Sequence, residues 1–154
     1  MSTGTVTAIY IAPKAGAPME RVSEVQAIAG AGLAGDRYCS GQGSFNDGDV
    51  GRRQVTLINE IFFYDTSFDY VDSRRNIVTK DVELMWLIGR EFQIGGARFR
   101  GVKYCDPCQR PSNLARKVYN FKRAFFDRGG LVAEIIEGGL IKEGDVVIPP
   151  PKGY

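Results

Sequence analysis

This sequence predicts a mostly β, barrel-like domain, and three observations carry the prediction. Short runs rich in β-branched and aromatic residues recur along the chain, glycine-rich turns separate them, and only one segment has firm helical spacing. Regular strand–helix alternation, which would build a parallel βαβ sheet, is not the pattern. At 154 residues the chain has the length of one domain, 1–154, and can bury a core without disulfides or a structural metal.

The segment Thr5 to Ile11 is β-branched and aromatic, a first strand broken by Pro13, Gly16 and Pro18. Val22 to Ile28 alternates as a second strand and runs into the glycine-rich stretch from Gly30 to Arg37. From Cys39 to Gly51 the residues are mainly Gly, Ser, Asn and Asp, which predicts a long surface loop; such loops are often functional. Arg53 to Ile58 is a further strand. Asn59 then offers an N-cap to an apolar segment reaching about Phe68, either a helix or a loop over the core. Arg74 to Thr79 follows, and Asp81 to Leu87 reads as a short helix stopped by Gly89. Phe92 to Ile94, a Gly95-Gly96 turn and Ala97 to Tyr104 form a hairpin with two cysteines at its far end. Ser112 is placed to N-cap the one firm helix, Asn113 to about Asp127. Leu114, Val118, Phe121 and Phe125 recur there at helical spacing, and Gly129-Gly130 is the stop. Leu131 to Ile136 and Val146 to Ile148 close the chain as strands, joined through Gly138-Gly139 and Glu143-Gly144-Asp145 turns; the proline-rich tail 149–154 frays.

A formal charge of +2 gives no ground for nucleic-acid binding, so any electrostatic argument is local. No stretch approaches the roughly 20 apolar residues of a membrane span. The amino terminus lacks the basic-then-apolar pattern of a secretion signal, so the expected location is cytoplasmic, with no membrane partner. Three cysteines, an odd number, argue for free thiols in a reducing compartment. The absence of histidine removes the Ser-His and Cys-His nucleophile arrangements and the usual imidazole metal ligands.

Chemistry concentrates at Tyr104-Cys105-Asp106-Pro107-Cys108. Two thiols lie three residues apart, and from Arg98 to Arg128 nine basic residues face two acids, Asp106 and Asp127. A thiol among cations has its thiolate stabilised, and the thiolate is the form that attacks, carries sulfur or binds metal. Burial as a small hydrophobic group is the competing reading for either cysteine. A zinc site is short of ligands, because only Cys39 could join the pair.

Five landmarks in order carry a resemblance: Gly32-Leu33-Ala34-Gly35-Asp36-Arg37, Arg53 to Ile58, Arg74-Arg75-Asn76-Ile77-Val78-Thr79, Cys105 to Cys108, and Gly138 to Asp145. Together they resemble the MOSC domain, the carboxy-terminal module of molybdenum cofactor sulfurase, which also occurs as small stand-alone proteins. The resemblance spans nearly the whole chain. It implies a barrel of the pyruvate-kinase β-barrel kind with a few short helices, and binding of the molybdenum cofactor (molybdopterin). In relatives that reduce N-hydroxylated compounds a protein cysteine ligates the metal. Cys108 matches that key cysteine, and Cys105 matches a more variable place. Stand-alone members are also proposed to carry or transfer sulfur. Two departures stand out. Tyr38 occupies the place where the glycine loop commonly ends in histidine, and no pyridoxal-phosphate domain is present, so no pyridoxal phosphate is expected in this chain.

The candidate catalytic residues are therefore Cys108, also the metal ligand, and Cys105, which could resolve a persulfide or disulfide on Cys108 or simply pack. Arg75 and Asn76 are candidate cofactor contacts: a guanidinium fork suits phosphate or molybdate oxygens, and an amide can read pterin edges. Alternation along a strand turns Arg74 the other way. Arg53 and Gln54 match a family motif, and Thr79 closes another. Asp36 and Arg37 belong to a tight turn whose N–H groups could hold an anion. Three functions follow: sulfur transfer or molybdenum-dependent reduction through Cys108; a non-catalytic module delivering cofactor to a redox or molybdoenzyme partner; and a Cys105–Cys108 thiol-disulfide oxidoreductase working without metal.

Overall fold

The computed structural model describes residues 3–116 and 119–151. Lys117 and Val118, counted above among the cations and the helical stripe, lie outside the described residues, as do 152–154 of the tail.

Eleven strands form: β1 Gly4–Ile11, β2 Glu20–Val22, β3 Glu24–Ile28, β4 Gly32–Leu33, β5 Val55–Asn59, β6 Ile77–Lys80, β7 Glu91–Ile94, β8 Ala97–Tyr104, β9 Leu131–Glu137, β10 Gly139–Lys142 and β11 Val146–Ile148. Seven of them close a barrel in the order β1-β11-β7-β8-β9-β5-β6 and back to β1. The chain thus has the mostly β barrel expected of it. Closure works because β1 divides one edge: Gly4 and Thr5 pair with β11, while Ile9 to Ile11 pair with β2. Within the ring only β5 and β6 run parallel, which sets the residues preceding both strands at the same end of the barrel. A small sheet, β10-β3-β4, lies outside it.

The barrel interior is filled by side chains such as Ile9, Leu57, Ile77, Phe99, Leu131 and Val147, all fully buried. A bulge between Val6 and Ala8 shifts the register of β1 on β6, and Ala8 and Tyr10 then face an outer cluster with Phe63, Phe68, Phe121 and Phe125. Each fully buried side chain of this size contributes about 1.5–3 kcal/mol.

The single helix expected over Asn113 to Asp127 is instead two short ones, α1 Arg110–Ala115 and α2 Phe121–Ala124. Arg116 is left-handed (φ 56°) and ends α1, and Asn120 caps α2 by accepting a bond from Arg123 N at 3.0 Å. Ser112 lies inside α1 and is not a cap. Its hydroxyl donates to Tyr119 O (2.9 Å) and accepts from Phe121 N (2.7 Å), folding the second helix back on the first. The segment after Asn59, read as either a helix or a loop over the core, is one 3₁₀ turn, Glu60–Phe63, followed by loop, and the helix expected over Asp81 to Leu87 is a 3₁₀ turn, Leu84–Leu87. Val22 to Ile28 divides at Ser23 into β2 and β3, which join different sheets. No helix among the described residues is long and apolar enough to cross a membrane.

Candidate functional site

Strand β8 delivers the cysteine loop to a glycine seat. Cys105 N donates to Gly130 O at 2.9 Å, and Gly129 N donates to the Tyr104 hydroxyl at 3.2 Å. A Cβ on Gly129 would collide with the Cys105 carbonyl, so the two backbones approach as only glycine permits. Seated this way, Cys105 is 1% exposed, whereas Cys108 is exposed, and both are free thiols. Arg75 holds the seat from the other side. Its Nε donates to Gly129 O (2.7 Å), Nη2 to Asp106 O (3.4 Å) and Nη1 to Ser73 O (3.3 Å).

Beside this loop is a cavity of about 180 Å³ whose wall includes Cys108 and six cations: Arg37, Arg53, Arg74, Arg75, Lys103 and Arg110. Among the described residues Asp106 is the one carboxylate in the lining. A second cavity, of about 460 Å³, adjoins it through Ser44, Phe45, Arg53 and Lys103, residues common to both walls. Arg53 stands at the junction. Its guanidinium lies 4.1 Å from the Phe45 ring centroid, and Nη1 is 3.8 Å from Cys105 Sγ.

The sequence candidates divide sharply. Cys108, Arg37, Arg53 and Arg75 line the first cavity and Gln54 the second, while Asn76, Asp36 and Cys105 are buried without lining either, and Thr79 is carried away along β6 to the end of β5. Asn76 is fully buried: its Oδ1 accepts from Thr56 N (3.0 Å) and Thr56 Oγ1 (3.2 Å), and Nδ2 donates to Tyr10 O (3.1 Å). Thr79 donates to Asn59 Oδ1 at 2.8 Å. The Asp36 carboxylate accepts from Ala12 N and Tyr38 N and pairs with Arg37 Nη1 at 2.9 Å. Arg37 also donates to the Tyr38 hydroxyl (3.1 Å) and Arg74 O (3.0 Å). Gln54 accepts from Ile135 N at 2.8 Å and donates to Gly51 O at 3.2 Å. These side chains tie strand ends together.

Arg74 behaves differently from its neighbour. It precedes β6 in a left-handed turn (φ 61°) and caps the 3₁₀ turn Tyr70–Ser73, so strand alternation does not govern it and it shares the cavity with Arg75. Its Nη2 is buried without a hydrogen-bond partner among the described residues. Burial, with the guanidiniums of Arg37 and Arg110 nearby, pushes its pKa down to about 10. A half-buried guanidinium with one buried nitrogen unpaired, beside other cations, is a costly arrangement that an anion would relieve. Sequence reasoning set Arg74 aside, counted Lys103 and Arg110 only among the cations around the thiols, and assigned no role to Phe45. For Lys103 and Arg110 the signal was their nearness to the cysteines.

A family model, that of the MOSC domain, matches residues 51–148. The chain belongs to the MOSC family. Among curated proteins none matches the sequence. Among solved structures, YuaD from Bacillus subtilis superposes with a TM-score of 0.79 at 17% identity, over 95% of this chain and 94% of that one. YiiM from Geobacillus stearothermophilus gives 0.71 at 11% identity over 98% of this chain and 77% of its own, and YiiM from Escherichia coli 0.65 at 15% over 96% and 70%. At these identities the likeness is one of fold. In this MOSC domain Tyr38, standing where the family commonly has histidine, is buried in the cavity wall with its ring 4.2 Å below the Arg37 guanidinium. The phenol thus serves as a fixed floor for two arginines, Arg53 being 6.0 Å from the same ring.

Proposed function

We propose that this MOSC-domain protein binds the molybdenum cofactor in the basic cavity, with Cys108 as thiolate ligand to the metal. Sulfur transfer or reduction of small N-hydroxylated compounds takes place at that site. The observation that carries the reading is the pairing of an exposed Cys108 with the unpartnered, buried Nη2 of Arg74 in one cavity wall. The donor set suits the group. Arg74, Arg110 and Lys103 are placed for anionic oxygens, and Arg53 with Phe45 offers a cationic and aromatic wall toward the second cavity. When bound, the cofactor supplies a metal centre able to exchange oxygen or sulfur. The chain contributes a positive field, a seat for the thiol and a partly enclosed wall. Asn76, Asp36 and Gln54 keep the strand ends in place behind it. Asn76 and Thr79 act through the scaffold in this reading, and Arg75 as a brace with its edge in the cavity.

Burial of Cys105 favours chemistry at one thiol over a Cys105–Cys108 dithiol couple. The exposure of Cys108 also suits a non-catalytic delivery module, in which a partner reaches the thiol directly. The test is molybdenum and pterin content after incubating wild type, Cys108→Ala and Arg74→Ala with freshly released cofactor. Cofactor binding predicts that wild type retains both, that Cys108→Ala loses metal, and that Arg74→Ala loses pterin and metal together. A wild type that retains neither overturns it. Turnover of an N-hydroxylated substrate with a reductant then separates catalysis from stoichiometric delivery.

A further inference from the structure

The barrel wall and the helical segment treat their cations in opposite ways. On the wall, Arg98 and Arg100 are neutralised by Glu91, Glu134 and Glu137. On the helical segment, Arg110, Lys122 and Arg123 are exposed, and among the described residues no carboxylate pairs with any of them. Residues 107–126 contain five bases (Arg110, Arg116, Lys117, Lys122, Arg123) and no acid, a charge of +5, while the remainder of the chain is at −3.

Two large aromatic side chains stand among these cations. Tyr119 is 60% exposed and Phe126 70%, the latter the most exposed large hydrophobic side chain among the described residues. Phe126 follows directly on the C-cap of α2, its N–H donating to Arg123 O at 3.4 Å, and it is exposed where Phe121 and Phe125 are buried. The surface is held together and tied to the cysteine loop: Lys122 N donates to Gln109 Oε1 at 3.4 Å, and Gln109 directly follows Cys108. Exposed aromatic and arginine side chains, here without carboxylate partners among the described residues, are the composition of an interface centre.

We propose that Arg110, Tyr119, Lys122, Arg123 and Phe126 form a docking surface for an acidic patch on a partner protein, next to the exposed Cys108. The proposal goes beyond cofactor binding and does not depend on it. The cations steer an acidic partner toward this face and the adjoining cavity mouth, the remainder of the chain being net negative, and the aromatic rings anchor the contact once water is expelled. A nucleic acid fits less well. Phosphodiester tracking wants a long positive stripe of free cations, and Arg98 and Arg100 on the barrel wall are already paired with carboxylates.

The test uses purified full-length protein and three probes at low and high salt: a 20-residue peptide of glutamates with interspersed leucines, the same peptide with glutamine for glutamate, and a 20-nucleotide single-stranded DNA. The expected result is binding of the acidic peptide alone, weakened more than tenfold by Lys122→Glu/Arg123→Glu and severalfold by Phe126→Ala. All three residues are exposed, and unchanged thermal melting of the variants shows that the fold is kept. Failure of the acidic peptide to bind at low salt overturns the proposal. So does tighter binding of the DNA, or salt-sensitive self-association that the charge reversal abolishes, which would make a second copy of this chain the occupant. None of these readouts involves cofactor, so they stand apart from the cofactor test.

Discussion

The two walls of the basic cavity are built from similar residues that have opposite fates. On one side Arg37, Tyr38 and Arg75, with Asp36 and Asn76 behind them, are at most 8% exposed, and their polar groups bond largely to one another, to backbone or to β-strand neighbours. On the other, Lys103, Cys108 and Arg110 are exposed, and Arg74 keeps one buried nitrogen unpaired. Arginine alone therefore does not mark a ligand contact. A guanidinium whose donors are met inside the protein is architecture, and one whose donors are unmet is the place to look for an anion.

The largest effect expected from breaking the satisfied wall is at Asn76. Asn76→Leu leaves the Thr56 N–H and the Tyr10 carbonyl without side-chain partners in the interior, and urea unfolding should show a loss of about 3 kcal/mol or more. Gly129→Ala comes next. The new Cβ meets the Cys105 carbonyl, and the strain of about 2–3 kcal/mol should unseat the loop, seen as alkylation of the otherwise buried Cys105. Arg75→Leu removes the donors to Gly129 O and Asp106 O, with an expected cost of about 1–3 kcal/mol and the same rise in Cys105 labelling.

Arg74→Ala sharpens the contrast, because alanine leaves the left-handed backbone as it was and removes only the side chain. Stability should change by no more than about 0.5 kcal/mol, or rise, since a half-buried cation with an unpaired buried nitrogen is lost. Binding of molybdate or inorganic phosphate, followed by calorimetry, should fall at least tenfold. If Arg74→Ala costs as much stability as Arg75→Leu, the division between the two walls collapses.

The barrel and the cysteine loop were legible in the sequence because the signals were local. The Gly95-Gly96 turn fixed the β7–β8 hairpin, and that hairpin fixed where the thiols emerge. What escaped was set by tertiary partners. Leu114, Phe121 and Phe125 are spaced as on one helix, yet Leu114 is exposed while the two phenylalanines are buried, because the chain turns at Arg116 and Ser112 closes the turn. Strands β4 and β10 are too short and glycine-rich to alternate visibly. Arg74 and Arg75 looked like successive strand residues, but β6 begins only at Ile77. Asn76 and Gln54 carry family motifs, and nothing in a motif distinguishes an amide that reads a ligand from one that ties two strands. Hydrogen-bond partners distant in sequence make that distinction, Tyr10 for Asn76 and Ile135 for Gln54.

The smallest effect compares the thiols at the edges of the two walls. Cys39 directly follows Tyr38 on the satisfied side and is half-buried; burial, with the Asp36 carboxylate nearby, raises its pKa above the ordinary 9.0. Cys108 is exposed on the open side. Iodoacetamide at neutral pH should therefore label Cys108 first and Cys39 slowly, with the Cys39 rate climbing only at alkaline pH. The sign for stability follows from the same shift. A thiol that holds its proton more tightly when folded contributes stability that is fully present below the unfolded pKa. That stability is lost as the pH rises through the higher folded value. Cys39→Ser should flatten this alkaline decline slightly while leaving Cys108 labelling as it was. Equal labelling of Cys39 and Cys108 at neutral pH would mean that the satisfied wall opens on its own, and that its buried hydrogen bonds do not keep it closed.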